Sequence, residues 1–417
     1  MAHDAIRSEL TELFMAGVAA ADPVRAVAQA LKARPVEVPD GGTLILLAVG
    51  KAANGMMQAA RAAVPEGVPT RCLIVTNYEN HRDISGVACY AAGHPVPDGN
   101  GVIAGLAVEK LLREAGARDM VLALISGGGS ALLPGPVKGL TLADKAEMNR
   151  LLLASGADIE ETNIVRQALS RFKGGGLLRL AAPAPVRSLI LSDVVGDDLR
   201  VIASGPTVGP IADLATARDV AHRLGIWERM PEAARVAMAR EEARDPLPDT
   251  DATLVGSNAI SVAAMAVAAG RPVRVVEAPL IGLVTTAAEQ VLTLAATTPP
   301  GTALLFGGET TVVLTGTGRG GRNQELALRV ALLAEERGLP GDWLFLSGGT
   351  DGRDGPTDAA GAIVDQGSLG RMRAAGADPR ALLANSDSHA ALAASGDLLM
   401  TGATGTNVAD LQIFLTL

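Results

Sequence analysis

The sequence predicts an α/β protein of two domains, a doubly wound Rossmann-like α/β/α domain over residues 1–245 and a second α/β domain over 246–417. Three observations lead there. Continuous apolar runs alternate with Gly-rich turns and with segments of helical period. Hydrophobic content is 48% but aromatic content only 2%, so cores must be built from Ala, Val, Leu and Ile, which let helices lie close on buried strands. The non-periodic, proline-bearing stretch 241–250 interrupts the alternation and marks a junction.

Residues 5–33 carry apolar side chains at helical spacing, broken at Asp22-Pro23, where an N-cap and a proline at the first helical position predict a second helix. Thr43–Val49 is a continuous apolar strand, and Gly50-Lys51-Ala52-Ala53 turns it into a helix over 54–63. Arg71–Thr76 is the next strand, with a helix over 101–115 after it. Met120–Ile125 is a third strand and ends in Ser126-Gly127-Gly128-Gly129-Ser130. A helix over 141–154, the segment Asn163–Leu169, the Gly174-Gly175-Gly176 break and the strand Val186–Leu191, ending in Ser192-Asp193, follow. The second domain restarts with the strand Ala252–Val255, a helix over 259–269, the strand Val273–Glu277, a helix over 284–296 and the strand Ala303–Phe306. The β-branched run Thr310–Leu314 reads as another buried strand, followed by a loop rich in glycine and by a helix that Asn323-Gln324-Glu325 opens. Trp343–Leu346 is a strand ending in Ser347-Gly348-Gly349; a polar loop, a helical region around 366–383 and Leu398–Met400 come last.

The net charge of −9 argues against a nucleic-acid-binding surface. Cys72 and Cys89 are too few for a disulfide framework and are not spaced as zinc ligands, which points to a reducing compartment. The opening MAHDAIRSELTELF lacks the apolar region of a signal peptide, and the most apolar window, Ser261–Gly270, falls well short of the ~20 residues of a membrane span. A cytoplasmic globular protein without membrane or nucleic-acid partners is expected; the sequence sets no oligomeric state.

Chemistry concentrates at the ends of strands. Amides of Ser126–Ser130 can approach phosphate closely because no Cβ intervenes, although a ligand-free βα turn has the same pattern. Lys51, just past an apolar strand, can neutralise a phosphoryl group or a substrate carboxylate. Arg319 and Arg322 can grip carboxylate or phosphate bidentately, beside loop amides and a helix N-terminus that welcome an anion. Gly316-x-Gly318-x-x-Gly321 formally matches a dinucleotide fingerprint, but the next strand ends in Ser347-Gly348-Gly349 where a ribose-binding acid belongs. Asp193, Glu309 and Asp351, at strand ends, are candidates for Mg²⁺ held through few protein oxygens. His94, in a constrained loop, is a substrate-orienting candidate.

The segments AVGKAA (48–53), AGHPVPDGNG (92–101), SGGGSALL (126–133), SDVVGDDLRVIASGPTV (192–208), GGETTVVLTGTGRGGRNQE (307–325), SGGTDGRDGPTDAAGA (347–362) and TGATGTNVADLQI (401–413) resemble the glycerate 2-kinase family, whose members have also been labelled hydroxypyruvate reductase and carry a MOFRL-type C-terminal domain. The motifs run in order over nearly the whole chain. The resemblance implies phosphorylation of D-glycerate to 2-phosphoglycerate by ATP with Mg²⁺, on two α/β domains flanking a cleft that Lys51 and Arg322 both face. It puts the family's essential lysine on Lys51, its essential arginine on Arg322 and its nucleotide loop on Ser126–Ser130. Arg319 is then a candidate for the glycerate carboxylate, and Asp193 for holding Mg²⁺ or orienting the nucleophile. An NAD(P)H-dependent hydroxypyruvate reductase is the alternative enzyme.

Overall fold

The computed structural model describes residues 2–240 and 247–417, which fall into two compact units, Pro23–Val255 and Met1–Asp22 with Gly256–Leu417. In the first unit the apolar runs form Leu44–Val49 (β1), Thr70–Asn77 (β2), Ala88–Ala92 (β3), Met120–Ile125 (β4), Val186–Leu191 (β5) and Asp251–Gly256 (β6). They make one sheet in the order β3-β2-β1-β4-β5-β6, with parallel pairing from β3 through β5. β1 and β5 are buried along their whole length, the pattern of strands covered on both faces. Val49 pairs with Ile125 and Ile125 with Ile190, so the carboxyl ends of β1, β4 and β5 are level. Helices start where their caps dictate: Asp98 accepts from Gly101 N, and Thr141 and Asp158 form capping boxes on the helices Leu142–Ala154 and Ile159–Ala168.

The second unit is a mixed sheet. Its strands are Val273–Val275 (β7), Leu280–Leu283 (β8), Ala303–Thr311 (β9), Trp343–Gly349 (β10), Gly361–Asp365 (β11), Leu398–Leu399 (β12) and Asp410–Thr416 (β13). The order is β12-β11-β10-β13-β9-β7, with β8 also on β9. β13 runs antiparallel to both β9 and β10, while β7 and β8 run parallel to β9. One face packs on the helices Val284–Ala295 and Arg322–Arg337 through Phe306, Phe345 and Phe414; the other packs on Asn258–Ala268 and on the first helix, Ala2–Ala20. Among the described residues no helix is long and apolar enough to cross a membrane.

Three expectations change. The strand expected at Thr310–Leu314 is the tail of β9, which runs unbroken from Ala303 through Gly307-Gly308 to Thr311; Val313 and Leu314 are exposed, because no partner strand continues beside them. β3, β8, β11 and β13 are strands that the sequence reading left out. The division at 1–245 and 246–417 also differs from the compact units, since Met1–Asp22 goes with the C-terminal unit. The reason is burial: Leu10, Leu13, Phe14 and Val18 form one apolar face against Leu305, Leu346, Leu411 and Ile413. Gly17 lets this helix lie against Met265, where a Cβ would come within 2.9 Å of its Cγ. Arg7 adds ion pairs to the buried Asp365 and Asp397. The junction expected at 241–250 lies partly outside the described residues, at 241–246.

Candidate functional site

Open parallel sheets present ligands to the loops beyond their carboxyl ends. In the first unit four such loops meet, those after β1, β3, β4 and β5. Lys51 N donates to Gly127 O (2.9 Å), and Ala52 N donates to Ser126 Oγ (3.1 Å), so the β1 and β4 loops are stitched together. Gly50 (φ 127°) and Gly128 (φ 85°) take backbone conformations that favour glycine. A Cβ on Gly128 would lie 3.1 Å from His94 Cδ2 and 3.3 Å from Lys51 Cγ, and one on Gly127 would overlap the Asp193 carboxylate. Lys51, His94 and Asp193 therefore lie against the Ser126–Ser130 loop. Burial, and next the charge of Lys51, holds the His94 imidazole below its ordinary pKa. A neutral ring beside an ammonium leaves one positive charge facing the loop.

The two serines do different work. Ser126 is buried and its hydroxyl is committed to Val49 O and Ala52 N, so it braces the loop. Ser130 is half-buried, and its side chain and carbonyl both accept from Lys173 Nζ. Lys173 is buried and also reaches Ser204 Oγ (3.4 Å), which in turn donates to Asn163 Oδ1 (3.0 Å). Burial, then the charges of Lys145 and Arg166, pushes the Lys173 ammonium well below its ordinary pKa. Ala203 and Ser204 stand at φ 50° and 61°, strained values for residues with a side chain. Lys173 and Ser204 were missed in the sequence. Their signals were a lysine directly before three glycines and a serine inside 192–208.

In the second unit Arg322 opens the helix Arg322–Arg337. Its Nε and Nη2 bond Asp410 at 2.6 and 3.0 Å, and its Nη1 pairs with Glu309 Oε1 at 2.8 Å. Asp410 is fully buried, whereas Glu309 is 45% exposed and the Arg322 side chain 33%. Burial pushes the Asp410 carboxyl up to about 6, against the pull of Arg322. Burial opposes the Arg322 charge, yet Asp410 and then Glu309 raise its pKa above the ordinary value.

The rest of this loop is not an anion cradle. Thr315 N, Thr317 N, Gly318 N and Arg319 N donate to Ser386, Asn385 and Asp387. The helix N-terminus is capped from outside by buried Asp354, which accepts from Asn323 N (3.1 Å) and Gln324 N (2.8 Å). Gly316, Gly318, Gly320 and Gly321 permit close packing on Asn385, Asp387, Ser388 and Asp354, which accounts for the fingerprint-like spacing without a dinucleotide. Arg319 is exposed and donates to Pro356 O (3.0 Å). Asp351 accepts from Arg353 N (3.0 Å), apart from the Arg322 cluster's contacts. Among the described residues no three His, Cys, Asp or Glu side chains are grouped to hold a metal ion. Asp410, the strongest partner of Arg322, was missed; the signal was an acid just before the segment Leu411–Leu415, apolar apart from Gln412.

Comparison with known proteins agrees with this architecture. Residues 9–239 match the family model described as a domain of unknown function, DUF4147, and residues 302–410 match the MOFRL family. A protein of Agrobacterium vitis that carries a hydroxypyruvate reductase name is 40% identical over 98% of this chain and 94% of its own length. The D-glycerate 2-kinase of Thermotoga maritima is 38% identical over 99% of both chains. The crystal structure of glycerate kinase from Thermotoga maritima superposes with a TM-score of 0.90 at 37% identity, covering 99% of this chain and 100% of that one.

Proposed function

The chain belongs to the glycerate 2-kinase family, and we propose that it transfers the γ-phosphoryl group of ATP to the 2-hydroxyl of D-glycerate. The observation that carries the reading is the meeting of Lys51, His94 and Asp193 at the Ser126–Ser130 loop, beyond the ends of β1, β4 and β5. Phosphoryl transfer needs positioning and charge neutralisation more than covalent chemistry. Lys51 supplies fixed charge beside the loop, and the amides at Gly128–Ser130 take the phosphates of the nucleotide. His94 orients the acceptor. Arg322 neutralises charge on the phosphoryl group or the glycerate carboxylate, and Arg319, being exposed, is a weaker carboxylate ligand.

Mg²⁺ fits this reading through Asp193, an oxygen donor lying directly against the phosphate loop. Asp193 would hold the ion there, and the chemistry supplied would be neutralisation of phosphate charge. Glu309 and Asp351 fit less well, the first being paired with Arg322 and the second bonded within its own turn. A cytoplasmic location is part of the proposal, supported by two free cysteine thiols.

The Agrobacterium relative's name favours a second reading, reduction of hydroxypyruvate with NAD(P)H. The consumption of the Thr315, Thr317, Gly318 and Arg319 amides within the protein counts against a dinucleotide there. One paired assay separates the two: ADP release from ATP and D-glycerate, against NADH oxidation with hydroxypyruvate. Kinase turnover without NADH oxidation is expected, and phosphorus NMR of the product should give 2-phosphoglycerate. Arg322→Ala should lower kcat by ~10³-fold or more; a near-normal kcat would remove Arg322 from the mechanism.

A further inference from the structure

We propose that Glu309 is an internal stand-in for the anionic group of a substrate, occupying Arg322 until that group displaces it. The inference rests on the reading that Arg322 grips an anion, and it adds why the grip is not open. All three guanidinium nitrogens of Arg322 are engaged: Nε and Nη2 by Asp410, Nη1 by Glu309. The two acids are not equivalent. Asp410 is fully buried on a strand hydrogen-bonded on both sides and has no room to leave. Glu309 stands one residue beyond the position where β9 pairs with Asp410, and nearly half of its side chain meets solvent.

Its backbone is held by β8, with Ile281 opposite, and Gly308 beside it pairs so closely with Leu280 that a Cβ there would overlap the Leu280 backbone. Release is therefore a rotation of the Glu309 side chain alone. Once it turns away, Nη1 is free while Asp410 still fixes the plane of the guanidinium, so the arginine meets a carboxylate or phosphoryl oxygen already oriented. The arrangement makes a sign prediction. If Glu309 served the ligand, neutralising it would weaken binding; as a competitor, its neutralisation strengthens binding.

The test compares the full chain as wild type, Glu309→Gln and Arg322→Met in the ADP-release assay with saturating Mg²⁺, varying D-glycerate and ATP in turn. Glu309→Gln should lower KM about two- to five-fold, the range expected for removing a half-exposed competing pair. A fall confined to D-glycerate identifies the carboxylate as the displacing group, and one confined to ATP identifies the phosphoryl group. As a direct readout, phenylglyoxal should modify Arg322 faster in Glu309→Gln, followed by peptide mass spectrometry. Unchanged or raised KM values would overturn the proposal, as would a raised Mg²⁺ requirement when the assay is repeated at limiting Mg²⁺, which would make Glu309 a metal ligand. Arg322→Met separates the two levels: with wild-type turnover the anion role of Arg322 itself fails, whereas lost turnover with an unresponsive Glu309→Gln overturns only the stand-in.

Discussion

Replacing Asp410 by Asn keeps the shape of the side chain and removes its charge, and it should separate stability from activity. Asp410 is fully buried and accepts two hydrogen bonds from a charged group. An amide retains one acceptor, so one charge-assisted bond is lost, about 1.5–3 kcal/mol. Against this, burial holds the carboxyl at about 6 rather than the ordinary 3.8. That displacement of roughly two pH units corresponds to about 3 kcal/mol that the ionised carboxylate costs the fold, and the substitution removes it. Because the value near 6 already includes the pull of Arg322, the second effect is net of the first, and Asp410→Asn should melt a few degrees above wild type at pH 7.5.

The pH dependence has a definite sign. A folded pKa above the unfolded one means that the folded state holds the extra proton, so this contribution is complete below about pH 4 and is lost as pH rises through about 6. Wild type should lose stability relative to Asp410→Asn across that window in urea titrations, with Arg322, Glu309 and Asp354 the charged groups nearby. Activity behaves differently. Without the two-point hold the Arg322 guanidinium can turn, and a misplacement of about 1 Å costs on the order of 10²-fold in kcat. Wild-type kcat in Asp410→Asn would refute the orienting argument. A stability difference that does not vary between pH 4 and 6 would refute the assignment of the carboxyl.

Other substitutions probe the remaining features. Gly127→Ala places a methyl group on the Asp193 carboxylate, so the Ser126–Ser130 loop must shift; if that loop takes the nucleotide phosphates as proposed, ATP affinity should fall at least ten-fold in calorimetric titration with little change in far-UV circular dichroism. Phe14→Ala empties a fully buried position between the first helix and the second sheet, and should destabilise the C-terminal unit by about 3–5 kcal/mol, seen as early cleavage of residues after 256 in limited proteolysis.

The parts of the molecule that could be read from the sequence are those in which local chemistry and tertiary environment agree. β1 and β4 are uninterrupted apolar runs, and β5 is apolar apart from Arg187 and Ser188; Lys51, Ser126–Ser130 and Asp193 stand at the ends of these three strands. β13 escaped notice for the opposite reason. Its side chains Asp410 and Gln412 are polar yet fully buried, a pattern that local hydropathy reads as loop. Thr310–Leu314 misled in the other direction, since β-branched residues continue past the point where β9 loses its neighbours. The hold of Asp410 on Arg322 and of Lys173 on Ser130 joins positions 88 and 43 residues apart, which no local pattern encodes.

The first helix gives the chain an unusual history during synthesis. The unit to which it belongs is nested around Pro23–Val255, so its opening twenty residues leave the ribosome long before their sheet exists. At about 5–20 residues per second the delay until β13 is made is roughly twenty to eighty seconds. Through that interval the apolar stripe Leu10-Leu13-Phe14-Val18 has no native surface to cover it, while the inner unit can complete itself. Maturation of the C-terminal unit is thus finished only when β13 meets a helix made roughly 390 residues earlier.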